Sequence, residues 1–268
     1  MRFRVLGAVE LVDDDGVTRP VGSTKQRQVL AALLARPGEV VTLDTLTEAL
    51  WGEDQPATAV GTLRTYVSRL RSDLGTTIVA RGAGFALDVA ATAVDAGRFD
   101  VLVDHATRAG PAEAAALLDE AIALWRGPAF GDQADLDCVR AEARRLEERR
   151  IGAREARAAA LLAAGRAADA VAAAEALVTD EPLREGAWSV LVDALAAADR
   201  PAEALRAYRR AADALAEAGL EPSARLRESE RAVLAGDGPS GHGLAAAGSA
   251  ARGPAASGPA GGGPARAG

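Results

Sequence analysis

An α+β amino-terminal domain, an all-α domain and an unstructured tail are predicted by three features of the sequence. Residues 1–92 mix β-type alternation with short helical runs; residues 93–235 are Ala-rich and helical in period almost throughout; residues 236–268 carry almost no large apolar side chain to offset the entropy of ordering. A length of 268 residues suits two domains of ordinary size. No apolar run approaches the roughly 18 residues of a membrane span, and the amino terminus lacks the apolar centre of a signal peptide, so a cytoplasmic chain with no membrane partner is expected. One Cys and two His rule out an intrachain disulfide, a thiolate cluster and a His-rich metal site, and no metal or cofactor is expected.

The elements of the first domain follow from local signals. Residues 3–12 show a strand-like apolar pattern, Asp13-Asp14-Asp15-Gly16 supplies a turn and residues 17–21 return, which predicts a hairpin. Ser23 or Thr24 caps a helix whose Val29, Leu30, Leu33 and Leu34 recur at helical spacing until Pro37-Gly38 stops it. Thr42 caps a short helix through Leu43, Leu46 and Leu50 to Trp51-Gly52. Pro56 takes the first position of a third helix that runs to Leu74-Gly75. Ile78-Val79 and Phe85-Ala86-Leu87 then flank Arg81-Gly82-Ala83-Gly84, a hairpin with a glycine-rich tip.

The third helix carries the functional signal. On a helical wheel Leu63, Val67, Leu70 and Leu74 form one buried stripe. Opposite it stand Thr62, Thr65, Ser68, Arg69 and Ser72, with Arg64 and Arg71 on one flank, and no acid occurs from position 56 to 72. A solvated helix would mix acids with bases at i,i+4 spacing. A DNA major groove asks instead for this mixture, because a guanidinium pairs with guanine O6 and N7, short hydroxyls reach base edges, and flanking cations hold phosphates. The signal is local: residues 1–93 hold ten cations against eleven acids, and residues 94–236 hold 19 Arg against 26 acids.

On these residues the first region resembles the winged-helix (OmpR/PhoB-type) effector domain of bacterial response regulators. Thr62-Leu63-Arg64-Thr65-Tyr66-Val67-Ser68-Arg69-Leu70-Arg71 is similar to that family's recognition helix, and Arg81-Gly82-Ala83-Gly84-Phe85 to its wing. The resemblance implies that Arg69 contacts a base or the groove, that Arg81 lies in or beside the minor groove, and that Tyr66, Ser68 and Arg71 lie near DNA. With the wheel, it makes Thr62, Arg64, Thr65, Ser68, Arg69, Arg71 and Arg81 the candidate DNA-binding residues.

The second region contains an internal repeat. The pattern Gly165-Arg166-Ala167-Ala168-Asp169-Ala170, then Ala174, Leu177 and Pro182, returns 34 residues later at Asp199-Arg200-Pro201-Ala202-Glu203-Ala204, Tyr208 and Ala211, with an earlier copy at Pro111-Ala112-Glu113-Ala114, Leu118 and Ala121. Thirty-four is the tetratricopeptide period, so stacked helix pairs, an association surface and no catalysis are expected. Over residues 1–235 the chain resembles the antibiotic regulatory proteins of actinomycetes, in which a winged helix precedes a bacterial transcriptional activation domain with tetratricopeptide-like helices. The blocks that carry this are Phe3-Arg4-Val5-Leu6-Gly7, Trp51-Gly52, Val94-Asp95-Ala96-Gly97-Arg98-Phe99, Leu124-Trp125-Arg126-Gly127-Pro128-Ala129, Arg145-Leu146-Glu147-Glu148-Arg149-Arg150, Pro182-Leu183-Arg184-Glu185 and Gly219-Leu220-Glu221-Pro222-Ser223.

The resemblance implies a transcriptional activator of a secondary-metabolite gene cluster. Two protomers would bind head to tail on direct repeats of double-stranded promoter DNA, as a homodimer formed on DNA, and would hold RNA polymerase there through its σ factor, which places the chain at the nucleoid. A competing reading is a tetratricopeptide-type adaptor whose winged helix no longer reads DNA. A third, an enzyme, finds only Cys138 with no His near it in sequence. No receiver domain or nucleotide-binding loop is recognised, so control by phosphotransfer or ATP within this chain is not expected.

Overall fold

The computed structural model describes residues 2–19, 21–74 and 77–236. The expected unstructured tail, from residue 237 onward, and Gly75 at the end of the third helix lie outside the described residues. The chain begins with β1 (Arg2–Arg4), β2 (Glu10–Val12) and β3 (Thr18–Arg19), an antiparallel sheet in that order in which Phe3 pairs with Leu11 and Leu11 with Arg19. Three helices follow, α1 (Thr24–Leu34), α2 (Leu43–Trp51) and α3 (Ala59–Leu74). β4 (Val41–Thr42), β5 (Ile78–Arg81) and β6 (Gly84–Leu87) form a second antiparallel sheet in the order β4-β6-β5. Among the described residues seven α-helices follow: α4 (Asp95–Ala106), α5 (Pro111–Ala123), α6 (Asp137–Ala163), α7 (Ala167–Asp180), α8 (Glu185–Ala197), α9 (Pro201–Glu217) and α10 (Ala224–Ala235).

Caps behave as their residues dictate. Ser23 closes a capping box with Gln26, and the Thr42 hydroxyl accepts from Thr45 N–H. The start of α3 differs from the expected Pro56. Ala59 N–H donates to the Pro56 carbonyl at 2.8 Å, closing a separate turn, and Thr62 N–H to Thr58 at 2.9 Å opens the helix.

Residues 3–12 also differ from expectation, making two strands and a loop rather than one strand. Gly7 has a φ of +143°, and a Cβ there would lie 3.1 Å from Arg126 Cβ. More important, the backbone at Val5 and Leu6 is claimed by the second region. Val5 N–H donates to Asp95 Oδ1 at 2.7 Å and Leu6 N–H to Asp95 Oδ2 at 3.3 Å. In return Arg126 N–H donates to the Leu6 carbonyl at 2.8 Å and Phe130 N–H to the Val5 carbonyl at 2.7 Å. A strand cannot continue where both its donors and its acceptors point at another domain.

One apolar cluster therefore runs through both regions, from Phe3, Leu30, Leu63 and Leu70 to Phe99, Phe130, Leu146 and Leu226. In the helical region α5/α6, α7/α8 and α9/α10 are successive pairs, each helix packing on the next, and α10 also returns onto α8. Ala170, Ala174, Leu177, Ala204 and Ala211, the repeat positions, are buried, and so are Ala114, Leu118 and Ala121 of the earlier copy. Small residues at those positions let helix backbones approach closely, so the Ala bias is a packing requirement here. The shallow charge balance hides many ion pairs. Arg145 and Arg149 of α6 hold Asp100 of α4 at 3.0 and 2.6 Å, and Arg184 holds Glu155 at 2.8 Å. No helix among the described residues is long and apolar enough to cross a membrane.

Candidate nucleic-acid interface

α2 and α3 form a helix-turn-helix pair packed on α1, and β5–β6 with β4 stand beside α3 as a wing. Leu63, Val67, Leu70 and Leu74 are all buried, together with Ala59, so the stripe read from the wheel is the face that α3 turns to the core. Their burial forces the opposite face outward. Arg64, Thr65, Ser68, Arg69 and Ser72 are exposed, Thr62 and Tyr66 half-buried. Arg64 and Arg69 make no ion pair among the described residues. Such a guanidinium meets a phosphate or a base without first breaking an ion pair within the protein.

The hydroxyls on this face are partly committed. Thr65 Oγ1 donates to the Gly61 carbonyl at 3.1 Å and Ser72 Oγ to the Ser68 carbonyl at 3.2 Å. Their protons are spent on their own helix, which leaves Thr65 an outward acceptor oxygen and a methyl group. Such a side chain accepts from an adenine or cytosine amino group and packs on a thymine methyl.

Arg81 at the wing is exposed, but its guanidinium bends back, 3.3 Å from Asp88 and 3.4 Å from the Gly38 carbonyl. Both members of that ion pair are largely in water, so the pair is weak and exchangeable for a phosphate. Arg71 is placed differently. It is half-buried, its Nε donates to the Ile78 carbonyl at 2.7 Å, and its guanidinium lies 5.6 Å from the centre of the Phe85 ring. The structure thus brings Thr62, Arg64, Thr65, Ser68 and Arg69 onto one surface, sets Arg81 across the wing, and turns Arg71 inward to the hairpin.

Two supports of the site carried no clear sequence signal. β4 is only two residues long, yet Val41 pairs with Phe85, and Leu43 N–H donates to the Ala83 carbonyl at 3.0 Å, which fixes the wing tip to the start of α2. A Cβ on Gly84 would run into the Val41 carbonyl oxygen. Gly84→Ala is therefore expected to cost roughly 1–3 kcal/mol through forced separation of β4 and β6, read as a lower urea midpoint. Lys25, the sole lysine, donates from Nζ to the Leu50 carbonyl at the end of α2 and stands 5.8 Å from the Trp51 ring. A cation at a helix carboxyl end satisfies a carbonyl and the helix dipole together.

Comparison with known proteins accords with this geometry. Residues 19–87 match the family described as transcriptional regulatory protein, C terminal, and residues 94–234 match the bacterial transcriptional activator domain. The chain is 36% identical over 244 residues to the transcriptional regulatory protein EmbR of Mycobacterium tuberculosis, covering 87% of this chain and 63% of EmbR. It is 33% identical over 257 residues to the regulatory protein DnrI of Streptomyces peucetius, covering 88% of this chain and 93% of DnrI. It is 36% identical to the regulatory protein AfsR of Streptomyces griseus, of which it spans 25%. This chain therefore spans less than two thirds of the length of EmbR and AfsR. A solved structure of M. tuberculosis EmbR in complex with a low affinity phosphopeptide superposes with a TM-score of 0.82 at 34% identity, over 87% of this chain and 65% of that one.

Proposed function

Because the chain belongs to the SARP family of antibiotic regulatory proteins, transcriptional regulators that join a winged helix to a bacterial transcriptional activator domain, we propose that it is a sequence-specific DNA-binding activator of a secondary-metabolite gene cluster. The observation that carries this reading is the outward face of α3, hydroxyl-rich and without an acid from position 56 to 72, with two arginines that make no ion pair among the described residues, held beside a wing. Arg69, Thr62, Thr65 and Ser68 read base edges in the major groove, Arg64 holds a phosphate, and Arg81 reaches the minor groove or its flanking backbone. Two protomers occupy direct repeats as a homodimer on DNA, and the complex recruits RNA polymerase through its σ factor. The division of charge supports two separate surfaces: the cations of α3 and the wing for DNA, and the acidic helical region for protein.

The test is a genome-wide pull-down of DNA bound at near-physiological salt, followed by footprinting of the strongest fragment and run-off transcription from it. Recovery of a direct repeat upstream of a biosynthetic cluster, with transcription stimulated by the protein, is expected. Diffuse binding with no stimulation contradicts the reading. Arg64→Ala is expected to weaken all DNA sequences alike and to lower the slope of log affinity against log salt by about 0.9, the share of one phosphate.

A further inference from the structure

Arg64 and Arg69 face water without an ion pair among the described residues, whereas Arg71, in the last turn of the same helix, is occupied on both sides. Its Nε–H ends on a carbonyl of β5, the outer strand of the wing, and its planar head lies over the Phe85 ring of β6. One side chain thus touches both strands of the hairpin. We propose that Arg71 is a positioning residue that staples the wing to the recognition helix, so that Arg69 and Arg81 engage DNA together, and that it holds no phosphate itself.

The surroundings show why a staple has work to do. The hairpin meets α3 across an open groove lined by Arg64, Val67, Arg71, Ala80 and Phe85. The tip of the hairpin is tied to α2 and β4 through Leu43 N–H and Gly84, but its first strand has no paired neighbour on its outer side among the described residues. Arg71 supplies the missing bond there. Phe85 is buried at 8% exposure, so the cation stacks on a ring fixed in place. The position also favours an arginine over any other cation. At this position the bond leaves from Nε, partway along the side chain, while the planar head beyond it covers the ring, and lysine has neither a donor at that point nor a planar head.

That difference makes the proposal testable. It rests on the DNA-binding reading, and one arm of the experiment is independent of it. In the free protein, amide hydrogen exchange of residues 79–86 is expected to accelerate in Arg71→Lys and Arg71→Met alike. On a selected promoter fragment, both variants are expected to lose about tenfold in affinity, the worth of one hydrogen bond to a charged group. In an Arg81→Ala background the same substitutions are expected to lose less than about twofold, because a displaced wing no longer forfeits a contact. Three results overturn the proposal: unchanged exchange in both variants; wild-type affinity in Arg71→Lys beside weakened Arg71→Met, which would mark a charge held to a phosphate; or full additivity with Arg81→Ala. If wild-type protein prefers no sequence over random DNA, the DNA reading falls, and the exchange arm still decides whether the staple exists.

Discussion

Arg69→Ala is expected to lower affinity for the cognate half-site by about 1–3 kcal/mol, confined to one base position, with binding to unrelated DNA reduced far less. Arg69 is exposed and makes no ion pair among the described residues, the exposed Asp73 four residues on included, so no ion pair has to be broken before its five donors meet DNA. Its neighbours of small volume, Thr65, Ser68 and Ser72, let the helix sit deep enough for a long side chain to reach a guanine edge. Base-substituted half-sites assayed against both proteins check this. In wild-type protein one guanine position should matter strongly, and in the variant that position should become indifferent. Equal losses at every sequence would instead make Arg69 a backbone contact like Arg64.

Asp95→Ala is expected to give the largest loss of stability, about 3 kcal/mol, because Val5 and Leu6 N–H would be left buried without an acceptor. Asp95 is 9% exposed and also holds Arg126 at 3.0 Å, which in turn reaches Glu10. Its removal severs the joint between the first strand, α4 and the segment before α6. Burial pushes the Asp95 carboxyl above the ordinary carboxylate range, opposed by the Val5 and Leu6 N–H groups and Arg126. The folded protein holds this proton more tightly than the unfolded chain does. The contribution of this group to stability is therefore greatest below the ordinary range and falls as pH rises toward the raised value. Asp95→Asn removes that dependence while keeping an acceptor for Val5. The stability difference between wild type and this variant, measured by urea unfolding, should decline as pH rises through the window and then flatten. A difference independent of pH would show that Asp95 titrates normally in the fold.

What was legible in the sequence was what is local. The stripe of Leu63, Val67, Leu70 and Leu74 follows from helical period alone, and its burial then dictates which side chains face outward. Ser23 and Thr42 caps and the Arg81-Gly82 turn are likewise decided within a few residues. The break after β1 was not legible, because alternation from Phe3 to Val12 looks continuous and the competing partners, Asp95, Arg126 and Phe130, lie about 90 to 125 residues away. The later family blocks were recognisable as patterns before their roles were visible. Val94-Asp95 and Trp125-Arg126-Gly127 turn out to build the joint to the first strand, while Arg145, Arg149 and Arg184 pin α6 to its neighbours. Within the candidate interface, a wheel tells which flank Arg71 leaves from but not that its long stem folds back to Ile78. The two-residue β4 lacks any period to read.

If α3 and the wing read sequence, the protein must show a large specificity ratio. Affinities for the strongest footprinted promoter fragment and for a scrambled duplex of equal length should be titrated at near-physiological salt, with Arg69→Ala alongside. A ratio of about 10³ or more for wild type, falling by about 5- to 150-fold in the variant, is the predicted result. A ratio near one for both proteins, each binding only through salt-sensitive attraction, would contradict it.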